Sequence, residues 1–569
     1  MRDRHSAEIA NSFLDNCGIQ ARSGRHNKIW HLNQTGKASE IYPSFESLLQ
    51  DYTLALFSPG DDPIPTRPRV DAILHHMLAR AKREVQKPSD IATLKTVFWG
   101  YDQVISLPDT ECDGTIWDCS LDYVLWYGDQ RELETNLVVI LDEKLTEGDG
   151  FDGYLPVLAA MSMIRYNQSP DSINRDMYGI LTDGFKWMFL HLNGKNKYSW
   201  LELNWVDQQH AIVGQLGRII KKSASLKLLC GESEDDEWGL TKQSIWSVQR
   251  RDCYSEDNQD LTTTDIDSEA SSLVDSPQPP KMPRRSIFSF SIGRKKNGGQ
   301  KSQQKRQLPT KAVTDLLPED VEDIFGVERE SSGATWMLHE RERRNIPDHL
   351  KRLLNDYDLA FGKAEKNEAV VRARIDAIVL TTLAAKKREE LGQHGGGKGS
   401  GKRTSTQSTK SYKSIHWGLE RTLKLPWVVD GKKCLLTGKM DYALWYGRKE
   451  EAETNMVIVE AKRYGSHAVG RDQVIAYMAM LHHGRKKASR TNTAIYGIAS
   501  DSYDWTFIRL SPQGTLSVHN LDWKDGCGAE EIVSHLHNVM DHAALLSPVP
   551  TQTLSRQQTV EELSGLSVE

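Results

Sequence analysis

The chain has 569 residues, a formal net charge of −6, 26% charged residues and seven cysteines. That length accommodates more than one domain with its own core, and the overall balance carries no basic surplus, although a local basic surface is compatible with any net charge. No CxxC pair occurs, which argues against zinc-finger spacing and a secreted disulfide scaffold. The first residues lack an apolar signal core, and no run of about 18 apolar residues follows. The expectation is a soluble, intracellular chain without a membrane partner.

Residues 1–40 are polar and read as an N-terminal extension. FESLLQDYTLALF (45–57) has helical apolar spacing, as does RVDAILHHMLARAKREV, with Val70, Ile73, Leu74, Met77, Leu78 and Ala81 on one side. Strand-like runs follow at 121–128, 135–141, 178–183 and 187–192, with helices expected at about 155–166 and 208–221. Residues 229–325 change character. They are first acidic and Ser/Thr-rich, and then basic over 281–306, which contains no acid. Such composition buries little apolar surface, so a disordered linker is expected there. Its basic part suits a nuclear import signal, a nucleic-acid tether or a merely solvated linker.

From about 326 the first half repeats. HLKRLLNDYDLAF (349–361) matches FESLLQDYTLALF, RARIDAIVL (372–380) matches RPRVDAILH, MDYALWYG matches LDYVLWYG, and IYGIASDSYDWTFIRL matches MYGILTDGFKWMFLHL. Matched blocks in one order indicate a tandem duplication. The two copies are bounded at 41–228 and 326–546, and a polar tail covers 547–569. The second copy carries a Gly/Lys/Ser-rich insert at 392–414.

Chemistry concentrates in residues 438–477. Asp441 heads an apolar strand-like run, and a second run leads into Glu460-Ala461-Lys462. Residues i and i+2 of a strand share a face, so Glu460 and Lys462 project together and a neighbouring strand can bring Asp441 beside them. Two carboxylates and an ammonium in that arrangement suit a hard metal ion and phosphodiester chemistry. A helix carrying Gln473 and Tyr477 follows. No GxxxxGK[ST] or GxGxxG motif is present, which disfavours a nucleotide-driven motor.

The order of an acid-bearing strand, a strand ending in Glu-x-Lys and a helix with a glutamine resembles the PD-(D/E)XK nuclease superfamily. More narrowly, it is similar to fungal proteins carrying a PD-(D/E)XK nuclease-like domain. The resemblance implies an α/β fold with two tandem restriction-endonuclease-like units, each a central mixed β-sheet flanked by helices and joined by the linker. It implies that Asp441, Glu460 and the carbonyl of Ala461 ligate Mg²⁺ or Mn²⁺, and that Lys462 orients water or the scissile phosphate. Glu368, placed where family members carry an acid on the first core helix, and Gln473 complete the catalytic set. Tyr477, Lys486 and Lys487 are candidate nucleic-acid contacts, with DNA favoured over RNA. Met440 stands where the family motif has proline.

The first copy offers Asp122, and then Asp142 and Lys144 as counterparts of Glu460 and Lys462, with one extra residue ahead of them. Glu368 aligns with Pro63, Gln473 with Pro156 and Tyr477 with Ala160. The first copy therefore reads as a degenerate nuclease domain, with a second working site as its alternative. The main rival for the whole chain is a non-catalytic protein that binds nucleic acid or another protein through nuclease-like domains. The expectation is either packing of the two copies on each other within one chain or a homodimer of the chain.

Overall fold

The computed structural model describes residues 14–15, 17–21, 28–31, 41–57, 65–84, 96–108, 116–127, 134–142, 151–166, 176–229, 246–248, 309–315, 318–330, 333–362, 368–395, 415–429, 432–446, 455–462, 467–487, 489 and 494–546. The basic segment 281–306, most of the expected linker, most of the 392–414 insert, the tail and Lys144 lie outside them.

The first repeat begins with α1 (Pro43–Leu56) and α2 (Arg67–Glu84). Three antiparallel strands follow, β1 (Phe98–Pro108), β2 (Ile116–Tyr127) and β3 (Glu134–Leu141), and then α3 (Leu155–Tyr166). Strands β4 (Met177–Thr182), β5 (Lys186–Leu192) and β6 (Lys197–Asn204) lead into α4 (Trp205–Leu229). Gln20–Ala21 and Trp246–Val248 close the two edges of this eight-stranded sheet, beside β6 and β1 respectively. Only β3 and β4, and Gln20–Ala21 with β6, pair in parallel among its described strands. The crossover between β3 and β4 is α3, whose buried apolar residues pack on the sheet.

The second repeat has the same order. After α5 (Pro318–Phe325) come α6 (Asp348–Phe361), α7 (Glu368–Gly395), β7 (Ile415–Val429), β8 (Lys432–Tyr446) and β9 (Asn455–Ala461). It continues with α8 (His467–Lys487), β10 (Ile495–Ser500), β11 (Asp504–Leu510), β12 (Thr515–Asp522) and α9 (Gly528–Leu546). Its sheet is also mixed and eight-stranded, with β9 parallel to β10 and α8 as the crossover. A shared detail ties the repeats together. A Cβ at Gly179 would overlap Val157 and Met161, and one at Gly497 would overlap their counterparts Val474 and Met478. Both sheets need a residue without a side chain where the crossover helix crosses closest.

The compact units do not follow the repeat boundaries at 41–228 and 326–546. One comprises residues 1–40, 74–300 and 359–364, the other 41–73, 301–358 and 365–569. Helix α1 of the first repeat thus belongs to the second unit, where it packs on α7. Buried Lys387 donates to three carbonyls at the end of α1, Leu54 (3.1 Å), Ala55 (2.9 Å) and Phe57 (3.2 Å). In the first unit the counterpart Lys82 donates to Leu359 (3.1 Å) and Ala360 (2.8 Å) at the end of α6. Each lysine therefore satisfies C-terminal helix carbonyls of the other repeat, where a cation also suits the helix dipole. Burial pulls Lys82 down to about 8.

Within the second unit the duplication also brings counterparts face to face. Tyr52 lies beside Tyr357, and Asp71 lies near Asp376. Burial first, and then the charge of Asp71, holds the Asp376 carboxyl well above the usual carboxylate range. Two like charges in one dry space cannot both persist.

Lys387→Met should lower the unfolding free energy by about 2 kcal/mol, because three carbonyls, that of Ala55 buried, lose their donor. Urea denaturation of the full chain measures this, and Lys82→Met should cost less because Lys82 is only half-buried.

Candidate active site

The site is assembled in the second repeat by three neighbouring elements. Register places Tyr442 of β8 opposite Val459 of β9, so Asp441 and Glu460 come next to each other on neighbouring strands. The backbone N–H of Ala461 donates to Asp441 Oδ2 at 2.8 Å, and the Asp441 N–H faces Glu460 Oε2 at 3.5 Å. On its other side β9 runs parallel to β10, and the Lys462 N–H donates to the Ser500 carbonyl at 3.0 Å. The β-branched run ahead of Glu460 favours a strand. Lys462 Nζ lies 3.1 Å from Glu460 Oε1.

Glu368 joins the group through a residue the sequence pattern did not single out. Helix α7 begins at Glu368, and Arg372, one turn on, donates to Glu368 Oε1 at 2.6 Å and also to Asp441 Oδ1. The Glu-x-x-x-Arg spacing is visible in the chain as a helical pair. Its reach to Asp441 is not, because β8 is brought to α7 only by folding. A second overlooked residue is Gly470 of α8. A Cβ there would fall 2.7 Å from Lys462 Cγ, so the glycine leaves room for the lysine stem.

Three carboxylates, Glu368, Asp441 and Glu460, thus face two cations, Arg372 and Lys462. Glu460 is pushed up to about 8, mainly by burial and then by the Asp441 and Glu368 charges, against the pull of Lys462. Burial works against the Lys462 ammonium, but Glu460, Glu368 and Asp441 outweigh it and raise its pKa, keeping it charged.

The remaining sequence candidates divide. Gln473 lies three residues beyond Gly470, on the same side of α8; its Oε1 is buried without a hydrogen-bond donor. Tyr477 is a core residue. Its ring fills the space above Gly438, and its hydroxyl donates to the Lys439 carbonyl at 3.0 Å. A 2% exposed side chain does not present itself to nucleic acid. Lys486 and Lys487 are exposed at the far end of α8, about 24 Å of helix beyond Gly470, and are not brought to the site.

The first repeat preserves the frame but not the groups. The Leu141 N–H donates to Asp122 Oδ2 at 2.8 Å, as Ala461 does to Asp441. The Asp142 N–H donates to the Thr182 carbonyl at 3.0 Å, as Lys462 does to Ser500. Tyr123 pairs with Val139 where Tyr442 pairs with Val459, and the register shifts at matching places, between Leu125 and Trp126 and between Leu444 and Trp445. By this register Ile140 stands in the place of Glu460, and Asp142 in that of Lys462. The pairing of Asp142 and Lys144 with Glu460 and Lys462 is therefore corrected by two residues, about 7 Å of strand. A shift of two keeps the face and moves the groups along it. Pro156 and Ala160 do occupy the places of Gln473 and Tyr477, since Val157 and Met161 match Val474 and Met478.

Among the described residues no three His, Cys, Asp or Glu side chains form a metal-sized group. Mg²⁺ nevertheless needs only one or two carboxylates, completing its shell with water and phosphate. The excess of carboxylate over cation, with the Ala461 carbonyl next in the chain after Glu460, is a donor set that fits such an ion. No protein-family model matches the chain, and no curated protein aligns with it significantly. No helix among the described residues is long and apolar enough to cross a membrane.

Because the fold raises the Glu460 pKa, the folded chain retains a proton that the unfolded chain has released between the ordinary carboxyl range and about 8. Stability contributed by that proton is lost as pH rises through this window. Glu460→Gln should therefore melt about 2–4 °C above wild type at high pH in EDTA. The difference should shrink toward pH 5, as calorimetry at both pH values can check.

Proposed function

We propose that the chain is a metal-dependent nuclease acting on nucleic-acid phosphodiester bonds, with its active site in the second repeat. The observation that carries this is the junction of Asp441 and Glu460 on adjacent strands, with the Lys462 ammonium 3.1 Å from Glu460. Asp441, Glu460 and the Ala461 carbonyl would hold Mg²⁺ or Mn²⁺. When bound, such an ion acidifies a water and offsets charge on the phosphate.

The protein's own groups supply the rest. Lys462, kept cationic by its carboxylate neighbours, offers a point charge and three donors to a phosphoryl oxygen or to the attacking water. Gly470 lets the stem of Lys462 run under α8, so the ammonium is held rather than free to wander. Glu368 contributes negative charge at the outer side of the group, and Gln473 offers an acceptor to an ordered water. With one complete site per chain, nicking or single-strand cleavage is the expected outcome, and cutting a duplex requires a second chain or a second encounter. DNA is the favoured substrate.

One observation favours the rival, a non-catalytic binding protein: Arg372 already sits on Asp441 Oδ1. The assay that separates them uses single- and double-stranded DNA and RNA with Mg²⁺, Mn²⁺ or EDTA. Lys462→Ala should reduce metal-dependent cleavage by about 10²-fold or more, while Asp122→Asn in the first repeat should leave it unchanged. Equal behaviour of wild type and Lys462→Ala on every substrate would sink the catalytic assignment.

A further inference from the structure

Asp441 is 8% exposed, and both of its carboxylate oxygens are engaged. Oδ2 accepts from the Ala461 N–H, a bond built into the strand pair and repeated at Asp122 in the other repeat. Oδ1 accepts from Arg372. The backbone donor cannot leave without parting β8 from β9, so Oδ1 is the oxygen that an incoming cation can take. Arg372 is unlike the other groups around it. It is a cation reaching the sheet from α7, and its Nη2 alone donates to two carboxylates of different exposure: Asp441 and Glu368, whose side chain is 38% exposed. A guanidinium cannot be deprotonated to make room, so it can yield Oδ1 only by moving. Glu368, on the same helix one turn back, provides a carboxylate that remains its partner on the outer side.

We propose that Arg372 is a resident counter-ion of Asp441, occupying the place of a divalent cation, so that the site takes up metal by exchanging the guanidinium off Oδ1 while Glu368 retains it. This rests on the metal-dependent function proposed for the site. Three consequences follow. Without metal, Arg372 keeps a buried carboxylate neutralised, which costs less than leaving it bare. Metal affinity is set by competition and is lower than the two carboxylates alone would confer. Arg372 is accordingly a positioning residue that tunes loading, and Glu368 acts through it rather than as a direct ligand.

The test is Mn²⁺ binding to the full-length protein, followed by the paramagnetic resonance signal of free Mn²⁺, together with melting temperature with and without Mn²⁺. Arg372→Gln should bind Mn²⁺ at least about tenfold more tightly than wild type. It should melt below wild type in EDTA and regain that loss on adding Mn²⁺, a recovery that a purely structural arginine would not produce. Adding Asp441→Asn to Arg372→Gln should abolish both effects. Arg372→Lys, which keeps one charge but loses the planar fork, should fall between wild type and Arg372→Gln, and it carries the test if the glutamine variant does not fold. Mn²⁺ binding by wild type that depends on Asp441 but is unchanged or weakened in both Arg372 variants would overturn the exchange and leave the metal site standing. If no variant binds Mn²⁺ at millimolar concentration, the exchange and the metal-dependent function fall together.

Discussion

The bond from the Ala461 N–H to Asp441 Oδ2 holds the chemistry of the second repeat in place. It fixes one carboxylate oxygen against the neighbouring strand, and this decides which oxygen is left for a cation and which side chains stand next to it. Glu460 precedes the donor and Lys462 follows it, so both are placed by the same strand that supplies the bond. The counterpart bond from Leu141 to Asp122 indicates that it is a property of the fold and not of catalysis. A buried acid satisfied by a backbone amide can persist whether or not anything reacts beside it.

That distinction explains how the two repeats differ. The first repeat retains the acid, the backbone donor, the strand irregularity and the glycine beneath the crossover helix. It replaces Glu460 by Ile140 and Lys462 by Asp142. An apolar side chain at the first place removes the burden of a second buried carboxylate, which in the second repeat shows itself in the raised pKa of Glu460. The scaffold relaxes toward a cheaper core once the charged groups are no longer kept together.

The helices are shared more than the sheets. Each repeat's first helix ends on a lysine of the other repeat, Lys387 on α1 and Lys82 on α6. Within the second unit, Tyr52 meets Tyr357 and Asp71 approaches Asp376. The same α7 that receives α1 also begins with Glu368 and Arg372, so the helix that receives α1 also supplies the outer side of the candidate site.

The amino-acid sequence by itself determined the duplication, the mixed α/β character, and the meeting of Asp441 with Glu460 and Lys462. The duplication is carried by matched blocks in one order, and the rest by local pattern: alternation places i and i+2 on one face, and the order of strand, strand and crossover helix leaves few topologies. Glu368 entered the group only through what the family resemblance implies, an acid on the first core helix. The sequence did not determine the partner of Glu368, because Arg372 meets Asp441 across 69 residues of chain and only tertiary packing joins them. Nor did it determine the role of Gly470 or the burial of Tyr477, since close approach of a helix to a sheet has no local signature. The counterpart of Glu460 is hidden for the same reason: residue type points to Asp142, whereas the hydrogen bonds between strands, which set register, point to Ile140. The unit boundaries also depended on tertiary structure, because the exchange of helices joins segments that are far apart in the chain.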